Sequence, residues 1–168
     1  MDGEADTIDI LRAVFRLEAE RTLLVARIGR VTGAEEALED VDGRLAAALS
    51  ALNTRGVAYP LHAIARRYRL GQEDYLLLQL ALMPRHGTEL VLAVTDALGD
   101  RAETIRLSHA LALIFEGLDD WERARAELTA LPVFRESLVK LDETKGEDGV
   151  DDPALTPSQA VLELLGLD

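Results

Sequence analysis

No stretch of the chain limits its fold more than LHAIARRYRLGQEDYLLLQLAL, residues 61–82. Leu61, Ile64, Ala65 and Tyr68 recur at helical spacing, Gly71 breaks the run, and residues 75–82 are almost wholly apolar. A helix, a tight turn and a second helix of this kind is a unit that sets a recognition helix into the DNA major groove. The same unit also serves as plain scaffold, so charge has to decide between the two uses.

The chain carries 31 acidic and 18 basic residues, a formal net charge of −13. Affinity for DNA comes largely from Lys and Arg replacing phosphate counterions, so a strongly anionic domain starts with a long-range penalty. Arg66, Arg67 and Arg69 form a local basic patch, but Glu73 and Asp74 stand where the recognition helix would begin. The patch therefore reads as a solvated or protein-binding surface, and duplex DNA is not an expected partner. Arg outnumbers Lys sixteen to two, a bias that more often reflects base composition of a genome than a binding function.

A chain of 168 residues corresponds to one domain, or one domain with a helical extension. No apolar run approaches the roughly 20 residues that a membrane helix needs. The opening MDGEADTID is acidic, unlike the basic start of a signal peptide. Cysteine is absent, which excludes disulfides and thiolate chemistry and suits a reducing cytoplasm.

Helical periodicity covers most of the chain, and the expected fold class is mainly α. Residues 1–56 read as an N-terminal helical hairpin. In its first helix Ile8, Leu11, Phe15, Thr22, Val25 and Ile28 share one broad face; Thr32 and Glu35 have capping-box spacing, and Leu38, Val41, Leu45, Ala48 and Leu52 follow as the second seam. Residues 57–168 read as a second, winged-helix-like domain. Pro60 suits a first helical position, and Pro84 is expected to stop the helix before it. A further helix over 85–98 places Leu90, Val91, Val94 and Leu98 inward, with Gly99 past its end. Another runs over 105–115, closed by Gly117. Asp119 or Asp120 then caps a short helix carrying Trp121, Ala124 and Leu128.

Beyond Pro132 the pattern changes. SLVKL, residues 137–141, alternates as a strand does, and residues 154–156 can return as its partner before a last helix over 157–165. A short β-hairpin after packed helices is a wing in the winged-helix sense. The connection over 142–152 holds six acids in eleven residues, an acidic tip that would repel phosphates.

In this order, "L.AIARRYRLGQEDYLLLQLALMP", "ETIRLSHALALIF", "LPVFRESLVKL" and "PALTPSQAVLELLG" resemble the N-terminal region of a bacterial family of AAA+ ATPases. Some of these are encoded beside phage-tail-like extracellular contractile injection systems. The resemblance covers about residues 61–166 and implies a helical lead-in and a winged-helix-like domain closing on Leu164, Leu165 and Gly166. It also implies a protein partner (an injection-system component, a cargo or an adaptor), with ring assembly only when the ATPase module is present. The chain departs from the family where ATP would be hydrolysed. It has no G-x-x-x-x-G-K-[ST] stretch, and neither Lys140 nor Lys145 follows a phosphate-cradling loop. Hydrolysis is therefore carried over to no residue, and the chain reads as non-catalytic.

Other chemistry finds no support. His62, His86 and His109 lack the spacing of a helical zinc pair. The acidic loop has Pro153 where an EF-hand starting at Asp142 needs its glutamate. No catalytic residue, cofactor or metal ligand is assigned. Trp121 reads as core packing in preference to a partner contact. Arg66, Arg67 and Arg69, together with the hairpin, are the candidate partner-binding surface, the arginines pairing carboxylates on the target. The competing reading pairs them with Glu73 and Asp74, and a free-standing winged-helix transcriptional regulator or adaptor is the alternative function.

Overall fold

The computed structural model describes residues 2–27, 32–114, 120–142 and 152–165. Among them the chain forms nine helices and one two-stranded antiparallel sheet, so it is mainly α with a short β-hairpin. It falls into two compact units, residues 1–63 and 64–168.

The first unit is a helical hairpin of α1 (Asp2–Arg27) and α2 (Ala34–Thr54). Its direction is antiparallel: Arg55 beyond α2 reaches Thr7 and Asp6 near the start of α1, and Arg21 pairs with Asp42 at 2.7 Å. Val14, Phe15, Leu17 and Ala19 of α1 are buried, as are Ala34, Val41 and Leu52 of α2. The expected α2 seam holds, since Leu38, Leu45 and Ala48 are half-buried. The expected α1 face holds in part: Phe15 is buried and Leu11 and Thr22 are half-buried, whereas Ile8 and Val25, nearer the two ends of the helix, are 47% and 49% exposed. Ile28 lies outside the described residues. The capping box at Thr32 and Glu35 does not form either: Gly33 is the N-cap, so Glu35 falls at the second helical position, one short of the spacing the box requires.

Pro60 opens α3 (Pro60–Arg67), whose Leu61 and Ile64 are buried. In the second unit, α4 (Gln72–His86) is the central element. Leu77, Leu78, Leu80, Ala81, Leu82 and Met83 are at most 1% exposed, the signature of a helix enclosed on all sides. Its neighbours are α5 (Thr88–Ala97), α6 (Leu107–Ile114), α8 (Pro132–Arg135) and both strands. Pro84 does not stop α4 but lies inside its last turn. The ring removes one backbone bond two residues before the helix ends, a local loss that burial of residues 77–83 outweighs. In α5, Val91 and Val94 are buried and Leu90 and Leu98 half-buried, as their spacing predicts. Of the two expected caps, Asp119 and Asp120, it is Asp120 that opens α7 (Trp121–Thr129), accepting from the Arg123 N–H at 3.1 Å, with Ala124 and Leu128 buried. The short α8 is an element that periodicity did not reveal.

Strands β1 (Val139–Asp142) and β2 (Ala154–Pro157) pair antiparallel, with Lys140 opposite Thr156 and Leu141 opposite Leu155. A third segment lies on the other side of β2. Arg106 bridges Ala154, the Leu155 N–H donates to the Ile105 carbonyl at 2.9 Å, and the Leu107 N–H donates to the Pro153 carbonyl at 2.8 Å. The order across is therefore 105–107, β2, β1. Ser158 caps the closing α9 (Gln159–Leu165), its Oγ accepting from Val161 N–H at 3.3 Å.

Among the described residues, four helices end in one motif. The residue two past the helix end turns left-handed, and two backbone N–H groups fold back on the last carbonyls. At α2 and α5 that residue is glycine, Gly56 (φ 68°) and Gly99 (φ 78°). At α3 it is Arg69 (φ 53°), with Leu70 N–H on the Ala65 carbonyl at 2.8 Å and Arg69 N–H on the Arg66 carbonyl at 3.3 Å. At α8 it is Ser137 (φ 55°), with matching bonds to Val133 and Phe134.

Candidate partner-binding surface

The motif that ends α3 places three arginines on its last turn and the bend beyond. Arg66 and Arg67 occupy the helix end, where positive charge complements the macrodipole. Arg69 occupies the left-handed position, and all three side chains are exposed. The Arg67 guanidinium lies over the Tyr68 ring, 5.6 Å from its centroid, a cation–π contact that narrows its freedom. Among the described residues none of the three arginines makes an ion pair.

Asp74 explains why. It is only 4% exposed, and its carboxylate is spent on backbone: Oδ2 accepts from Gly71 N–H and Oδ1 from Val133 N–H, each at 3.0 Å. The first bond closes the N-terminus of α4 and the second the N-terminus of α8. Asp74 is thus a structural clamp and neither a partner for the arginines nor a surface charge, which corrects both roles that its position in sequence suggested. Glu73 is exposed. The helix that residues 72–86 form is enclosed over its apolar length from 77 to 83, so that length presents no open face.

The histidines fall in three separate settings. His109 is 2% exposed. Its Nδ1 accepts from the Arg106 N–H at 2.9 Å, so the proton sits on Nε2, which donates to Asp100 Oδ2 at 2.9 Å. His109 thereby plays at the third helical position of α6 the part that glutamate plays in a capping box. Asp152 completes the cap from across the sheet, accepting from Ser108 N–H at 2.9 Å and from Ser108 Oγ–H at 2.6 Å. The last acid of the acidic connection is therefore committed to structure; residues 143–151 lie outside the described residues. In the first unit, His62 Nε2 lies 3.2 Å from Glu18 Oε1, and its ring stands edge-on to Tyr59 at 4.8 Å between centroids. Burial pushes the Tyr59 phenol above its usual range, with the Glu18 charge adding to it, so this hydroxyl stays protonated. His86 is half-buried in the last turn of α4. Among the described residues no three His, Asp or Glu side chains gather as metal ligands.

Trp121, first in α7, is half-buried. Of the α7 charges, Arg123 pairs with Glu127 at 3.2 Å. Among the described residues no helix is long and apolar enough to cross a membrane. Comparison with family models, with curated proteins and with solved structures finds no match to the chain.

The capping roles of Asp74 and His109 had a faint sequence trace. Gly71–Asp74 and Arg106–His109 both have the three-residue spacing of a cap and its reciprocal acceptor. Nothing in sequence marked Val133 as the second partner of Asp74.

Proposed function

We propose that the chain is a non-catalytic N-terminal domain of a AAA+ ATPase of the kind associated with contractile injection systems, and that it recruits a protein partner to that motor in the cytoplasm. Residues 64–168 act as a winged-helix-like domain in this reading. The observation that carries it is the strand order. A winged helix runs helix, strand, helix, helix and then a hairpin whose second strand lies between the other two. The succession α5, 105–107, α6, α7, α8, β1, β2, with β2 central, follows that plan with one short helix, α8, added before the hairpin. The helix in the position of a DNA reader is then α7, and not the unit at 61–82.

Charge separates this reading from the transcriptional regulator. Over α7 two acids, Glu122 and Glu127, balance two arginines, Arg123 and Arg125, and the chain as a whole carries −13. A groove-reading helix with no net positive charge on an anionic body lacks the counterion-release energy that supports DNA affinity. In a gel-shift titration at physiological salt, the chain is expected to leave duplex DNA unbound up to about 10 μM, weaker than the specific affinities of DNA readers. Sub-micromolar, sequence-dependent binding contradicts the proposal in favour of the regulator.

Arg66, Arg67 and Arg69 are the partner-facing residues of the second unit. Ring assembly and ATP turnover belong to the motor in this reading, and several copies presented by one ring give weak individual sites avidity.

A further inference from the structure

Resting on the recruitment reading, we infer that Arg66, Arg67 and Arg69 form a docking site for a short acidic peptide segment of the partner protein. Three observations converge on it. The arginines are exposed and without an ion pair among the described residues, in a chain where acids outnumber bases 31 to 18. Of the two acids that open the following helix, Asp74 is turned inward onto two backbone N–H groups, and the exposed Glu73 makes no ion pair with the arginines among the described residues. Arg69 holds a left-handed conformation, φ 53°, at a position that Gly56 and Gly99 fill in two of the other three occurrences of the motif and Ser137 in the third. A side chain there strains the backbone. The helix macrodipole accounts for Arg66 and Arg67, but it gives no reason for an arginine where the backbone favours glycine.

The chemistry of the occupant follows from the guanidinium and the surrounding field. Arginine forks match carboxylates and phosphates with two parallel bonds. A duplex carries a charge about every 1.7 Å along its axis, and its length would run past the patch into the field of a body bearing −13. A short acidic segment keeps its carboxylates within about a Debye length, ~8 Å at physiological salt, of the three arginines. Stacking of Arg67 on Tyr68 leaves less side-chain entropy to lose on binding.

Fluorescence anisotropy with a labelled Glu-rich octapeptide, its Gln counterpart and a short random-sequence duplex tests this on the full chain. The Glu-rich peptide is expected to bind at low salt, more weakly as salt rises, and better than the Gln peptide or the duplex. Triple reversal of Arg66, Arg67 and Arg69 to Glu is expected to weaken it by about ten- to a hundredfold, as three exposed charge pairs allow. Reversing the exposed Arg85, Arg101 and Arg135 changes net charge equally and is expected to weaken it less than about threefold. Two single variants separate function from structure. Arg69→Gly and Ser137→Gly each relieve a left-handed side chain and are each expected to raise Tm by about 2–4 °C. Only Arg69→Gly is expected to weaken the peptide, by about threefold or more. No peptide binding, equal loss in both triple variants, or unchanged binding by Arg69→Gly overturns the acidic-segment site and leaves the recruitment reading standing. Tighter binding of the duplex than of the peptide overturns both.

Discussion

Replacing Asp74 by Ala is expected to destabilise the fold by about 3 kcal/mol, while Glu73→Ala stays within about 0.5 kcal/mol. The two acids are adjacent in sequence and both lie in the first turn of α4, so the macrodipole treats them alike. They differ in what the carboxylate touches. Asp74 is 4% exposed and accepts two backbone N–H groups, one from its own helix cap and one 59 residues away at Val133. Charge-assisted bonds of this kind contribute about 1.5–3 kcal/mol each, less when removed together. Truncation leaves the Val133 N–H without an acceptor at a buried site, and the Gly71 N–H without its cap at an exposed one. Asp74→Asn is expected to fall between, because an amide keeps one acceptor oxygen but sets its NH₂ against the other donor. Urea midpoints at constant slope measure all three. Equal losses at positions 73 and 74 would sink the clamp.

His109→Leu is expected to destabilise by about 2 kcal/mol, whereas Asp100→Ala stays below about 1 kcal/mol. The pair shares one hydrogen bond, yet its two members stand in different surroundings: the His109 side chain is 3% exposed and that of Asp100 is 71% exposed. Water replaces Asp100 at little cost. Leucine fills much of the imidazole volume but offers no acceptor to the Arg106 N–H, which Nδ1 holds at 2.9 Å. That bond starts α6 beside the bridge from Arg106 to Ala154, so the loss falls where helix and sheet are joined. If Asp100→Ala costs as much as His109→Leu in the same denaturation series, the contact with Asp100 and not the cap is what stabilises this corner.

Local signals carried far in this chain because most of the fold is built from short-range periodicity. Ala124 and Leu128 of α7, the α2 seam through Val41 and Leu52, Pro60 at a helix start and the two strands were all legible from spacing and turn chemistry. The failures share a physical origin. Thr32 and Glu35 have the right separation for a capping box, but the helix begins one residue later than that box demands, and local sequence does not settle a shift of one. Pro84 is a strong breaker in isolation, yet its cost is overruled by an apolar stretch enclosed on all sides. The segment 105–107 has one bridge residue, too short to show alternation. As for the candidate surface, the three arginines were visible as charge, but that Asp74 would not pair with them was not: it turns to the Val133 N–H at the start of α8, nearly sixty residues further on.

The claim that this domain recruits a protein, and does so without nucleic acid, is tested most directly by nuclease-resolved affinity capture. The immobilised chain is exposed to extract from its source cells, with and without exhaustive nuclease treatment, and the retained protein and nucleic acid are both quantified. The account predicts one protein retained in near-stoichiometric amount, unchanged by nuclease and weakened by salt. Retention of nucleic acid alone, or of proteins that disappear once nuclease has acted, would contradict it.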